Sequence, residues 1–157
     1  MKVAAFAIAA SLALGAQTSE FVADPMPAPS CHASTIIELR PGELMAAWFG
    51  GAAEGRPDVA IWSARKVDGR WQPPVELARE PHIATYNPVL FRSADHVLWL
   101  YYRFGPSPQQ WTAARRSSLD DGRTWGSRWL NARMTRMSTA AQENNDRMAM
   151  DMYAAWI

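Results

Sequence analysis

Apolar and polar residues alternate along several short stretches between residues 34 and 118, which is the pattern of half-buried β-strands. The stretches "STIIEL" and "LMAAWF" flank "RPGE", in which Pro41 and Gly42 fit the central positions of a type II turn. The stretch "DVAIWSAR" then leads through "KVDGR" into "WQPPVEL". Because prolines cannot donate to a sheet ladder, Pro73 and Pro74 place this last strand at a sheet edge. The pattern predicts antiparallel hairpins and an all-β fold.

The chain repeats this arrangement at an offset of 54 residues, so that Leu44 corresponds to Leu98 and Trp71 to Trp125. The second unit contains "NPVLF", a turn at residues 93–95, "HVLWLYYRF", "QWTAARRS" and finally "SSLDDGRTWG". Four strands in a repeat of about 50 residues, with the edge strand last, predict the blade of a β-propeller. A small β-sandwich is the competing all-β architecture.

The stretch "SSLDDGRTWG" has the composition of a tight turn, because Ser and Asp side chains accept backbone N–H bonds and Gly adopts positive φ. The pattern formed by Ser118, Asp120, Gly122, Thr124 and Trp125 resembles the Asp-box of bacterial sialidases. Together with "CHASTIIELRPGELMAAWFGGAAEGRPDVAIWSAR" and "YNPVLFRSADHVLWLYYRFGP", it resembles the sialidase-like BNR-repeat family. The resemblance covers roughly residues 30–125. It implies the N-terminal part of a six-bladed propeller, with about two four-stranded blades present.

The same resemblance implies an exo-acting glycoside hydrolase that acts on glycan termini. Typical sialidases open with an Arg-Ile-Pro element whose arginine binds the substrate carboxylate. The corresponding stretch here is "CHAST", with His32 about where that arginine would lie. The sequence therefore leaves the identity of the sugar open.

Polar residues in the predicted loops identify a candidate site. In an up-and-down blade, the loops between strands 2 and 3 and the blade-to-blade connections share one end, near the propeller axis. A carboxylic acid, a base or nucleophile, and cations for an anionic substituent would suit a sugar there. Each of these residues also has a purely structural interpretation, such as capping a turn. The predicted catalytic residues are Glu54, Asp58 and His32, and the predicted substrate-binding residues are Asn87, Arg56, Arg103 and Tyr86.

Composition and net charge limit the classes of partner that we expect for this chain. Hydrophobic residues make up 48% of the chain and the formal net charge is +1 without a basic run, so we expect neither nucleic acid nor a membrane surface as a partner. Carbohydrate is the expected partner, and the oligomeric state is open. Cys31 is the only cysteine, and the Cys31-His32 pair lacks a second ligand pair at metal-binding spacing. We therefore expect no metal and no cofactor.

Both ends of the chain differ from the blades, which are expected over residues 24–126. Residues 1–23 are predicted to be a signal peptide and the start of a linker, because Lys2 precedes the short apolar run "VAAFAIAASLALGA". This indicates a periplasmic or secreted protein; a buried N-terminal helix is the alternative. Residues 127–157 hold five of the eight methionines and neither Gly nor Pro, so an aberrant tail, disordered or short-helical, is predicted.

The tail favours a truncated or frame-shifted gene product without activity of its own; a genuine short protein with a C-terminal helix is the alternative. Three functions stay open at this stage. The first is an exported sialidase-like glycoside hydrolase. The second is a polysaccharide lyase on the same fold, with His and Tyr as base and acid. The third is a non-catalytic glycan-binding propeller module.

We expect export to remove the segment from Met1 to about Ala16, because a charged start, a short apolar run and a small-residue boundary form a cleavable signal. N-terminal sequencing of protein recovered from the periplasm or medium should give a first residue between positions 16 and 24. Recovery of an intact Met1 would contradict this prediction.

Overall fold

The computed structural model describes residues 19–130, which form two antiparallel sheets. The predicted signal sequence and residues 131–157 of the predicted tail lie outside this range. In the part of the chain that is described, no helix is long and apolar enough to cross a bilayer. The strands are β1 (Ser30–Arg40), β2 (Glu43–Gly51), β3 (Ala60–Val67), β4 (Arg70–Trp71), β5 (Val75–Ala78), β6 (Thr85–Arg92), β7 (Leu98–Phe104), β8 (Thr112–Ser118) and β9 (Trp129–Leu130).

The first sheet, called here the first blade, has the order β1-β2-β3, and both β4 and β5 then pair with β3. The interruption between β4 and β5 falls at residues 72–74, which include Pro73 and Pro74. These prolines remove donors from the ladder, and the outermost position of β4 and β5 is where a sheet tolerates that loss. The outer strand of this blade is therefore two short pieces.

The second sheet, the second blade, has the order β6-β7-β8-β9. All pairings in both blades are antiparallel. The predicted all-β fold with two consecutive four-stranded blades is thus confirmed. The last strand of the second blade lies at Trp129–Leu130, beyond the Asp-box stretch.

The core lies between the two blades. Side chains alternate between the faces of a strand, so Met45, Ala47 and Phe49 of β2 point to one side of the first blade. They form one cluster with Leu98 and Leu100 of β7 in the second blade. All five side chains are almost completely buried. Truncation of such a residue costs about 2–5 kcal/mol, so this packing stabilises the pair of blades far more than any exposed contact does.

Hydrogen bonds also cross from one blade to the other. The backbone N–H of Thr85 donates to the carbonyl of Val59 at 3.2 Å, and the Thr85 hydroxyl donates to the same carbonyl at 3.0 Å. Thr85 is fully buried, so these donors would be costly to leave unpaired. A second bond joins the first strands, because the N–H of Leu90 donates to the hydroxyl of Thr35 at 3.4 Å. The two blades are therefore held together by main-chain as well as side-chain contacts.

The turn between β8 and β9 is stabilised by its own side chains. The hydroxyl of Ser118 accepts the N–H of Gly122 at 2.8 Å, and the carboxylate of Asp120 accepts the N–H of Thr124 at 2.8 Å. The Thr124 hydroxyl also donates to Asp120 at 2.6 Å. These bonds hold the pKa of the Asp120 carboxyl well below its usual range. Trp125 packs against the core between the blades, which joins the turn to the sheet.

The neighbouring Asp121 ties this turn to the first blade. Its carboxylate accepts hydrogen bonds from Arg40 at 2.6 and 3.0 Å and from Arg92 at 2.7 Å. Its backbone carbonyl accepts a bond from Arg65, which also pairs with Glu43. Arg40 and Arg65 belong to the first blade, so Asp121 connects the two blades at the end that carries the β1–β2 and β8–β9 turns. We call this the turn end. The two arginine partners of the carboxylate, Arg40 and Arg92, lower the pKa of the Asp121 carboxyl.

Substitution of Asp121 by Asn should lower the free energy of unfolding by about 2 kcal/mol at neutral pH, because charge-assisted bonds between the blades are lost. A carboxyl with a depressed native pKa contributes stability above its unfolded pKa of about 3.9 and loses it as pH falls through the native value. The difference between the wild type and Asp121→Asn should therefore shrink below about pH 4. Urea unfolding of both proteins at several pH values measures this difference in the free energy of unfolding.

The matched control is Asp68→Asn. Asp68 also precedes a glycine and also has positive φ, 51° against 59° for Asp121. It lies exposed in the hairpin turn of the first blade, so its replacement should change stability by less than about 0.5 kcal/mol. Equal effects of the two substitutions would refute the bridging role of Asp121.

Candidate functional site

Two equivalent bulges shape the end of the sheets that lies opposite the Asp121 turn. Pairing shifts register between His32 and Thr35 in β1 and between Tyr86 and Val89 in β6. His32 and Tyr86 are 54 positions apart, so they occupy the same place in the two repeats. Bulges redirect the side chains beside them, and they commonly occur next to functional sites.

A continuous row of rings crosses this end of both blades. The ring of His32 stacks on Phe49 with centroids 5.5 Å apart, and Phe49 meets Tyr86 edge to face at 5.6 Å. Tyr86 in turn stacks on Trp111 at 4.6 Å, and the guanidinium of Arg103 lies 5.8 Å from the centre of the Trp111 ring. We call these five residues the ring row. It joins three predicted site residues, His32, Tyr86 and Arg103.

Tyr86 is the buried member of the predicted site, with 5% of its surface exposed. Burial raises the pKa of its hydroxyl, and the negative charge of Glu54 raises it further. At neutral pH the hydroxyl is therefore protonated and able to donate a hydrogen bond. A Cβ placed on Gly55 would lie 3.9 Å from this hydroxyl, so the loop between β2 and β3 passes close to it.

That loop carries three of the predicted site residues, Glu54, Arg56 and Asp58, and all three are exposed. The carboxylate of Asp58 accepts the N–H of Ala52 at 2.8 Å, which closes the loop on itself. The Asp58 carboxylate therefore stabilises the conformation of this loop. Within residues 19–130, Glu54 makes no hydrogen bond or ion pair, and its contribution to the site is its charge near Tyr86.

Asn87 lies at the second bulge with φ of 47°, a conformation that Asn tolerates better than most residues. Its counterpart in the first repeat is Ala33, with φ of 48°. Asn87 is exposed beside the ring row, and since alanine adopts the same conformation at position 33, the backbone does not by itself require Asn there. A role in substrate binding stays a prediction.

Trp111 and Phe49 are members of the ring row that sequence reasoning missed. Trp111 follows a loop that begins at Gly105 and contains a 3-10 turn, Pro108–Gln110. Gly105 has φ of 152°, and a Cβ there would lie 2.7 Å from the carbonyl oxygen of Gln110. Only glycine allows this close approach, which positions Trp111 against Tyr86. The sequence feature that could have identified Phe49 and Trp111 is that both are aromatic residues near the ends of predicted strands.

A second polar cluster lies where the connection between the blades meets β7. Glu80 is almost fully buried; it accepts a hydrogen bond from the Tyr102 hydroxyl at 2.8 Å and pairs with Arg128. Burial, followed by the bond to Glu80, raises the pKa of Tyr102. The cluster borders a cavity of about 260 Å³, and its charges are already paired within the protein. The cavity is lined by Ala78, Arg79, Glu80, Pro81, Tyr102, Arg116 and Arg128.

No group of three or more His, Cys, Asp or Glu residues in the described part of the chain is placed to hold a metal ion. The ring row has charges of both signs beside it, the Arg103 guanidinium over Trp111 and the Glu54 carboxylate near Tyr86.

Two packed antiparallel blades with rings and loop charges at one end define a β-propeller-type module. The BNR repeat-like domain family matches residues 42–140, and the chain belongs to this family. Among solved structures the chain is similar to the Hadza microbial sialidase Hz136, with a TM-score of 0.55 and 13% sequence identity. The similarity covers 66% of this chain and 26% of that sialidase, so the chain spans about a quarter of its length. A search of curated proteins gives no match. The predicted sialidase-like BNR family is confirmed.

Substitution of Gly105 by Ala should lower the free energy of unfolding by about 3 kcal/mol, because it adds a backbone clash to an unfavourable φ. The matched control is Gly42→Ala, since Gly42 has φ of 80° but open space around its Cβ position. That control should lose only about 1 kcal/mol. Thermal unfolding of both variants measures the difference. Equal losses would mean that the Trp111 loop does not need its close approach to Gly105.

Proposed function

We propose that this chain is a glycan-binding module of an exported, sialidase-like glycoside hydrolase, and that it binds sugar at the ring row. The observation that carries the proposal is the continuous contact of His32, Phe49, Tyr86 and Trp111 across both blades. Phe49 and Tyr86 are buried and hold the row together, so the rings that a sugar could reach are those of exposed His32 and half-buried Trp111. Such rings offer flat apolar surfaces that suit the C–H face of a sugar. Arg103, which lies over the Trp111 ring, would favour a glycan with an anionic substituent, and Arg56 of the exposed loop between β2 and β3 could add to this charge.

Support for a carbohydrate ligand comes from the family and from the fold. The protein with the similar structure is named a sialidase, and the chain belongs to the BNR repeat-like family. The protonated Tyr86 hydroxyl would donate a hydrogen bond to a sugar oxygen, and the Glu54 carboxylate would accept one from a sugar hydroxyl. Export fits a ligand that lies outside the cytoplasm, and it rests on the sequence of residues 1–23.

We propose further that this chain binds without turnover. Glycoside hydrolysis commonly uses two carboxyl groups, one on each side of the scissile bond. Of the two predicted acidic residues, Asp58 is engaged with the main chain of its own loop. Glu54 is exposed, and within the described residues no second free carboxylate is placed beside it to complete a pair. The site therefore supplies recognition but not an acid–base pair.

The test is glycan-array screening of the purified chain, followed by calorimetry with the best ligand. Replacement of the exposed His32 by Ala should weaken binding about tenfold, because a stacking surface at the end of the ring row is lost. Trp111→Ala should abolish measurable binding. Trp129→Ala is the matched control, because Trp129 is exposed on β9, outside the ring row, and its loss should leave the affinity unchanged.

Turnover is measured on the same protein with aryl sialosides, arabinosides and rhamnosides, and with polyuronates whose cleavage by a lyase gives an absorbing product. We expect none. Hydrolysis that disappears in Glu54→Gln would contradict the account of binding without turnover. A chain that binds no glycan, or whose binding is indifferent to His32 and Trp111, would refute the site.

A further inference from the structure

The cavity beside Glu80 lies between the two blades, and most of its wall consists of charged side chains. Arginines reach it from three segments: Arg79 from the connection after β5, Arg116 from β8, and Arg128 from just before β9. Among residues 19–130, Glu80 is the only carboxylate on this wall, and no ring-row residue lines it. The wall therefore carries more positive than negative charge.

Two of the three arginines have a carboxylate partner of their own. Glu80, which is 3% exposed, pairs with Arg128 and accepts the Tyr102 hydroxyl at 2.8 Å. Arg79 pairs with Glu76 of β5 at 2.6 Å. The Glu80 carboxylate is thus committed to these two partners, and the charge of Arg79 is balanced from outside the cavity wall.

Arg116 differs from the other two because its acceptors are neutral. Its guanidinium donates to the carbonyls of Leu77 at 2.7 Å, Gly126 at 3.0 Å and Trp125 at 3.4 Å. Within residues 19–130 it forms no ion pair. A charge that is partly withdrawn from water without a countercharge is unfavourable. The described part of the chain therefore leaves one positive charge on the cavity wall unbalanced.

The blade architecture does not require an arginine at this position. Arg116 pairs with Leu100 of β7, and the equivalent residue of the first blade is Ala64, which pairs with Ala46, 54 positions before Leu100. Ala64 is almost completely buried in a small apolar cluster. A blade thus forms with an apolar side chain at this place in the register. The arginine is a feature of the cavity and not of the repeat.

We propose that this cavity binds a small tetrahedral oxyanion, a phosphate or sulfate group, whose charge balances that of Arg116. Guanidinium groups form charge-assisted hydrogen bonds with such oxygens, and donors from three segments suit a tetrahedral group better than a planar carboxylate. The side chains of Arg79 and Arg128 are 39% and 40% exposed, so the cavity is open to solvent.

The size of the cavity fits the same class of ligand. Its volume of about 260 Å³ lies below the range of about 300–1,000 Å³ that is typical of pockets for larger organic ligands. The ring row and this cavity share no residue, so the oxyanion site does not depend on glycan binding at the ring row.

The test is thermal unfolding of the full chain, titrated with sodium sulfate or sodium phosphate and compared with sodium chloride at equal ionic strength. In the wild type, Tm should rise with either oxyanion and then saturate, because a ligand that binds only the folded state stabilises it. The general stabilisation by excluded salts does not saturate and is common to all variants. Arg116→Gln should abolish the saturable rise, and Arg128→Gln should weaken the apparent affinity about tenfold.

The matched control is Arg70→Gln, because Arg70 is an exposed arginine on β4 that does not line the cavity. It makes the same change of charge and should keep the full response. Arg128→Gln decides the test if Arg116→Gln fails to fold after losing its bond to Leu77. Acetate should act at least tenfold more weakly than sulfate. The absence of a saturable rise, an equal response to acetate, or a response that Arg128→Gln leaves unchanged would overturn the proposal.

A further titration with N-acetylglucosamine 6-sulfate separates two sources of the oxyanion. An apparent affinity equal to that of inorganic sulfate would identify a free ion as the ligand. An affinity more than tenfold higher, lost in Arg116→Gln and kept in Arg70→Gln, would identify a sulfate group carried by a sugar. Both results support an oxyanion site in this cavity.

Discussion

The contact between the inner faces of the two blades is the interaction on which the rest of the structure depends. The outer face of the first blade has a separate small cluster, against which Val22 of the N-terminal segment packs. The contact between the blades supplies most of the stabilisation, because it buries large side chains such as Met45 and Leu100 completely. The remaining features depend on the relative position that this contact imposes on the two sheets.

The two ends of the paired sheets differ in the interactions that they carry. At the turn end, Asp121 gathers arginines from both blades, so the ionic groups there are consumed in holding the blades in register. At the opposite end, bulges and the close approach at Gly105 direct aromatic side chains into contact across the blades. Function is therefore expected where the strand ends carry rings and loops. At the turn end, the carboxylate of Asp121 already has internal partners.

Periodicity alone predicted the strands, the antiparallel pairing and the 54-residue repeat, because side-chain alternation and turn residues are local signals. The sequence also placed His32, Tyr86 and Arg103 at one end of the blades. It could not identify Phe49 and Trp111 as their partners, since those contacts depend on how one blade packs on the next. It left the second aspartate of "DDG" without a role, because the partners of Asp121 lie 81 and 29 residues away along the chain. Asp58 resembled a catalytic carboxylate in sequence but closes its own loop.

The central claim is that the two blades form one cooperative unit through their shared core. Amide hydrogen exchange of Thr85 tests it most directly, because its N–H bonds to Val59 across the boundary between the blades. If the blades unfold together, this amide should exchange with the same opening free energy as Ala47 in the middle of the first blade. Exchange of Thr85 at the rate of an exposed loop, while Ala47 stays protected, would show that the blades separate and would contradict the account.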